Sequence, residues 1–223
     1  MCIRDRLFPI YGSGLIGHFL SASLISVPAA IMYANMMIPS NEKTDFPDEK
    51  SDDMYSSIMD AITQGTKNGL DIFLNVIAML IVVMALVFLV NSILGLLPNL
   101  NGNPITLELI LGYLFAPLAW FMGIPWSESI IAGQLLGVKT ALNEFVAYLY
   151  LSDTQNYQLS DKTRMILLYA LCGFANFSSV GILLSGLSAM VPERRADLIS
   201  VSGKALWCAL LASCLTGFII GIL

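Results

Sequence analysis

The chain alternates long apolar tracts with short polar ones. Residues 7–41, 72–107, 165–192 and 205–223 contain no Asp, Glu, Lys or Arg. A helix crosses the roughly 30 Å hydrocarbon layer of a bilayer with about 20 residues, so each tract has room for one crossing, the last barely. Unbroken apolar runs such as Ile77 to Val90 lack the in–out alternation of a membrane barrel strand. With no water in lipid to satisfy backbone N–H and C=O groups, helices are the remaining solution. The pattern predicts an all-α integral membrane protein with spans at 12–39, 70–97, 165–190 and 205–223. The first span carries small residues (Ser21, Ser23, Ser26, Ala29, Ala30) suited to close helix packing, and Pro28 is expected to bend it. From Tyr55 to Asn68, Ile58, Met59 and Ile62 oppose Asp60, Gln64 and Lys67, which predicts a helix lying at the membrane surface before the second span.

Two stretches depart from simple crossings. Residues 105–122 are apolar, with Glu108 and Pro117 among them, and fit either a crossing or an interfacial helix. Residues 126–152 are apolar but hold Glu128, Lys139 and Glu144, with Gly133 and Gly137 expected to interrupt the first part and Asn143-Glu144 the second. Two short halves around a polar centre predict a re-entrant helical hairpin; one ordinary span with a buried charge is the alternative. The basic residues favour the hairpin. Loops 42–70 and 193–204 hold three Lys or Arg each, 98–125 none and 153–164 two. The two loops with three basic residues would be cytoplasmic. Four spans give that alternation only if 105–152 enters and leaves on one side. Lys204 is expected to open the last span, and Gly173 to permit unwinding near the centre of the third.

Composition agrees: 57% of the 223 residues are hydrophobic and 12% charged, against about 25% charged in soluble domains. The net charge of −5 comes largely from residues 42–60, with seven acids and two lysines. No basic cluster exceeds Arg194-Arg195, so nothing points to nucleic acid. Cys2, Cys172, Cys208 and Cys214 show no CxxC spacing, and no disulfide framework, metal site or cofactor is read. The opening MCIRDR resembles translated sequencing adapter; residues 1–11 are set aside as non-native or linker, and the natural protein is expected to extend upstream.

Glu144 is the sharpest chemical signal. A carboxylate among apolar membrane residues costs about 2.5–3.5 kcal/mol and marks an ion, proton or polar-substrate site by default. A structural pair with Lys139 is the bland alternative, weakened by a spacing of five that puts the two on different helical faces. Asn176 and Ser179 share a face if the helix is continuous there, and interhelical hydrogen bonding is their plainer role. With Glu144 they offer the acceptors and donors a polyhydroxylated ligand needs. Phe174 and Phe177 could wall a flat ring or simply pack. His18 reads as an interfacial or interhelical residue rather than a proton relay, and the serines at 21–26 as packing. No nucleophile–base pairing suggests an enzyme.

The blocks ALNEFVAY (141–148), CGFANFSSVGIL (172–183) and VPERRADL (191–198) resemble the signature blocks of the concentrative nucleoside transporter family. MGIPW (122–126), ILGYLFAPLAW (110–120), NGLDIFLNVIAMLI (68–81) and HFLSASLISVPAA (18–30) resemble its other blocks in the same order. The resemblance runs from about residue 12 to the C-terminus. It implies uptake of nucleosides across the bacterial inner membrane, coupled to sodium or protons, by a homotrimer. It makes 12–223 the family's C-terminal domain, 126–152 the second re-entrant hairpin with Glu144 near its tip, 162–190 a broken helix and 105–122 an interfacial helix. It assigns Glu144, Asn176 and Ser179 to the ribose hydroxyls, with Phe174 and Asn143 at the same pocket. The family's first hairpin and its cation site are not matched here and are expected upstream. A secondary transporter of another polar solute and a membrane structural subunit are the competing functions.

Overall fold

The computed structural model describes residues 14–39, 56–98, 104–153 and 158–223. Expectations for residues 1–13, the acidic loop 40–55, the turn 99–103 and the loop residues 154–157 lie outside the described residues. Every regular element among the described residues is helical.

Helix α1 (Leu15–Met37) runs unbroken through Pro28. Its buried positions, Leu15, Ala22 and Ala29, recur every seven residues and form one narrow seam, packed on the C-terminal helix. The serines do not make this seam as expected. Ser23 and Ser26 turn their hydroxyls onto carbonyls of their own helix, those of Phe19 (2.9 Å) and Ser23 (2.8 Å), and Ser23 also meets the Cys172 thiol. His18 is interhelical: its Nδ1 lies 2.8 Å from the Tyr169 hydroxyl.

Helix α2 (Ile58–Leu94) starts at Ser57, whose side chain accepts from the Asp60 amide. The surface helix and the span expected as two elements are one helix of 37 residues, roughly 55 Å long at 1.5 Å per residue. Gly69 does not end it, since an isolated helical glycine costs only about 1 kcal/mol. At its far end Asn91 donates from Nδ2 to both Glu108 oxygens (3.0 and 3.2 Å) and accepts from the Leu107 amide (2.7 Å). That contact starts α3 (Leu107–Phe121), which Thr106 also caps.

Helix α4 (Trp126–Ala141) follows after a turn of 119°. Gly123 makes the turn with φ 90°, a left-handed value that glycine adopts without strain. The interruption expected at Gly133 and Gly137 does not occur; α4 is continuous through both. Their purpose is proximity: a Cβ at Gly133 would run into the carbonyl of Gly112 and stand 2.9 Å from the Ala116 amide. The α3 and α4 backbones therefore touch. Leu142 and Asn143 then reverse the chain into α5 (Glu144–Leu151), so the hairpin tip falls at Asn143-Glu144 as expected.

The expected broken helix is α6 (Asp161–Ala170) and α7 (Phe177–Met190). Arg164 donates to the carbonyls of Leu151 (2.8 Å) and Leu159 (3.2 Å), tying the hairpin's exit to the start of α6. The Tyr148 hydroxyl donates to the Leu168 carbonyl (2.8 Å), a second tie between hairpin and broken helix. Helix α8 (Arg195–Ile222) begins before Lys204, which lies inside it rather than opening it; a 3₁₀ turn at Pro192–Arg194 leads in. The core lies where α4, α6 and α8 meet, with Leu135, Leu136, Ile166, Leu167 and Leu210 buried together. α1 and α8 are each long and apolar enough to cross a bilayer alone, and α3 with α4 form a bent apolar pair.

Candidate functional site

Two helices begin at one place. Asn143 caps α5: its backbone is extended (φ −169°) and its Oδ1 accepts from the Val146 amide at 2.9 Å. Glu144 is thus the first residue of α5, where the helix's positive end favours a carboxylate. Asn176 caps α7 in the same way, with Oδ1 accepting from the Ser179 amide at 2.6 Å. Its other amide atom, Nδ2, donates to Glu144 Oε2 at 2.9 Å. The acid of one helix start is held by the cap of the other.

Asn176 and Ser179 do not share a continuous helical face, because the helix is broken from 171 to 176. A capping box joins them instead. The Ser179 hydroxyl accepts from the Asn176 amide (3.1 Å) and donates to the Asn176 carbonyl (2.6 Å). Its hydrogen is therefore spent on holding Asn176 in place. Asn143, Asn176 and Ser179 are all buried, while Glu144 is half-buried. Glu144 Oε1 has no hydrogen-bond partner among the described residues and is free to accept.

Lys139 does not pair with Glu144. Its Nζ donates to the Ala170 carbonyl at 2.8 Å, and its side chain is 0% exposed. The spacing of five already weakened the pair; what sequence reasoning missed was a partner on α6 for the lysine. The signal was available in kind, since a lone lysine in an apolar tract must find acceptors.

Phe174 and Phe177 are exposed, at 57% and 60%. Phe174 and Ser179 border a cavity of about 380 Å³ between α7 and α8, whose other walls include Leu183, Leu187, Val201 and Ala205. Glu144 and Asn176 do not line it, and its lining is apolar, so it is not the polar site. The polar groups gather instead at the two helix starts.

Residues 18–221 match the family described as the C-terminus of Na+-dependent nucleoside transporters. The chain belongs to that family. Over 222 residues it is 40% identical to a transporter of Bacillus subtilis, covering 95% of this chain and 54% of the relative. It is 37% identical over 210 residues to the nucleoside permease NupC of Helicobacter pylori, covering 92% and 50%. Human solute carrier family 28 member 3 is 35% identical over 226 residues, covering 92% and 33%. Among solved structures, that of CNTnw in an inward-facing substrate-bound state superposes with a TM-score of 0.77 at 36% identity, covering 95% of this chain and 54% of that one. The chain thus spans about half the length, or less, of the transporters it matches. The family is one of membrane transport proteins rather than enzymes.

Proposed function

We propose that this chain carries the ribose-binding half of a nucleoside transporter of the plasma membrane, coupled to sodium or protons and assembled as a homotrimer. The carrying observation is the Glu144–Asn176 contact at 2.9 Å. It leaves one carboxylate oxygen unpaired at the meeting of two positive helix ends. A pair of vicinal hydroxyls supplies the donors that such an oxygen lacks, and discrete donors facing a fixed acceptor give specificity as well as affinity. The half-exposed Phe174 and Phe177 stand beside the cradle in sequence and offer apolar surface to a flat base. Asn143 supports the site as the cap that fixes Glu144, and Ser179 as the residue that locks Asn176. The names of the Helicobacter pylori permease and of the matched family support nucleosides as the cargo and sodium as a coupling ion. We place the coupling-ion site and the base-reading groups in the part of such transporters that this chain does not span.

The test is Glu144→Gln in the complete gene product. Substitution removes hydrogen bonds to an ionised group, each about 1.5–3 kcal/mol, so uridine uptake should fall by about tenfold or more at unchanged expression. Uptake equal to wild type removes Glu144 from the site. Wild-type uptake of some other polar solute, with uridine failing to compete, would point to a different cargo on the same fold.

A further inference from the structure

Helix α6 stops at Ala170 inside an apolar tract. A helix that ends there leaves its last carbonyls without intrahelical donors and concentrates about half a negative charge at that end. In transporters with broken helices, such C-terminal ends are where a coupling cation is held. Here the position is filled from within the chain. Lys139 reaches across from α4, and Nζ donates to the Ala170 carbonyl at 2.8 Å. The side chain is fully buried, and no carboxylate among the described residues comes within ion-pair distance of it. Glu144, Cys172 and Cys214 lie within electrostatic reach. Gly173 lies beside it: a Cβ there would be in ordinary contact with Nζ at 3.5 Å but would collide with the Ser213 hydroxyl of α8.

An ammonium buried without a paired acid is costly and is retained only where fixed negative charge answers it. The end of α6 and the carboxylate at the start of α5 are the negative groups present.

We propose that Lys139 is a tethered cation. It occupies the helix-end position that a diffusible cation would otherwise take, neutralises the end of α6, and so fixes the 171–176 break that presents Asn176 to Glu144. It is a positioning residue and touches no substrate. The part of the claim concerning Asn176 rests on the ribose reading; occupancy of the helix end does not. The competing account is that a long side chain merely fills volume between α4, α6 and α8.

The test uses chemical rescue in the complete gene product. Lys139→Ala deletes the equivalent of n-propylammonium. Uridine uptake into proteoliposomes should fall by about tenfold or more and recover saturably when n-propylammonium is added, whereas 1-propanol, neutral and of the same shape, should not restore it. The purified variant should gain Tm with n-propylammonium and not with 1-propanol, while wild type responds to neither. Lys139→Met refills the volume without the charge and should be as impaired in uptake as the alanine variant. It also decides the matter if Lys139→Ala does not fold. Lys139→Met transporting within about twofold of wild type, or equal rescue by the amine and the alcohol, overturns the proposal. If wild type moves no uridine, the ribose reading fails, and the Tm comparison still decides the role of Lys139.

Discussion

Asn176 does two jobs with one side chain, and substitution can separate them. Oδ1 caps α7 by accepting from the Ser179 amide, and Nδ2 donates to Glu144. Asn176→Ser keeps a capping oxygen, because Ser and Asn are nearly equal N-caps, so the cap's own share of stability should change by only about 0.5 kcal/mol. Serine has no amide and cannot span the 2.9 Å contact to Glu144 as asparagine does. A hydrogen bond to an ionised group is worth about 1.5–3 kcal/mol; Glu144 is half-buried, so water offsets part of the loss and the low end applies. That corresponds to a rise of about 10- to 30-fold in the KM for uridine. Asn176→Ala removes both functions and should lose a further ~1 kcal/mol of stability from the missing cap. The assay is KM by uptake and Tm in detergent for both variants side by side. If Asn176→Ser keeps the wild-type KM, the amide is not part of the substrate cradle. If Ser and Ala lower Tm equally, the cap assignment is wrong.

Two further outcomes test the scaffold. Gly133→Ala places a methyl 2.9 Å from the Ala116 amide and against the Gly112 carbonyl, both backbone atoms that cannot swing away, and should cost about 1–3 kcal/mol. Gly186→Ala, with open space around its Cβ, is the matched control, and equal Tm losses for the two would contradict the close α3–α4 approach. Asn91→Ala removes the contacts to Glu108 and to the Leu107 amide, costing about 1–3 kcal/mol. Hydrogen exchange at Leu107 should accelerate relative to the centre of α3, and unchanged protection there would show that Thr106 alone starts the helix.

The class of fold was legible because charge is absent from whole tracts, a property that lipid imposes and few other environments do. Glu144 stood out for the same reason. The broken helix was foreshadowed by Gly173, although which residues would cap its second half was not. Asn143 and Ser179 illustrate the limit. As residue types they are potential ligands, and only backbone geometry shows that one spends its oxygen on the Val146 amide and the other its hydrogen on the Asn176 carbonyl. Gly133 and Gly137 looked like breaks because sequence reports what a residue permits, while packing decides how the permission is used. The single long α2 was missed because a change from amphipathic to fully apolar pattern marks a change of surroundings and not an end of helix. For Lys139 the spacing argued only against the nearest acid in sequence; its acceptor lies 31 residues away on another helix, which no local pattern shows.

Because Glu144 and Asn176 sit at the opening turns of α5 and α7, the shape of the cradle depends on where each helix is counted from. Each residue added to or removed from an α-helix turns the downstream chain by about 100° and shifts it by about 1.5 Å. Inserting one residue into the last turn of α4, or into the last turn of α6, would rotate a key group out of reach while every side chain stayed chemically intact. The register of these two helix starts is therefore as much a part of the cradle as its side chains, and a change of length alone should retune cargo preference.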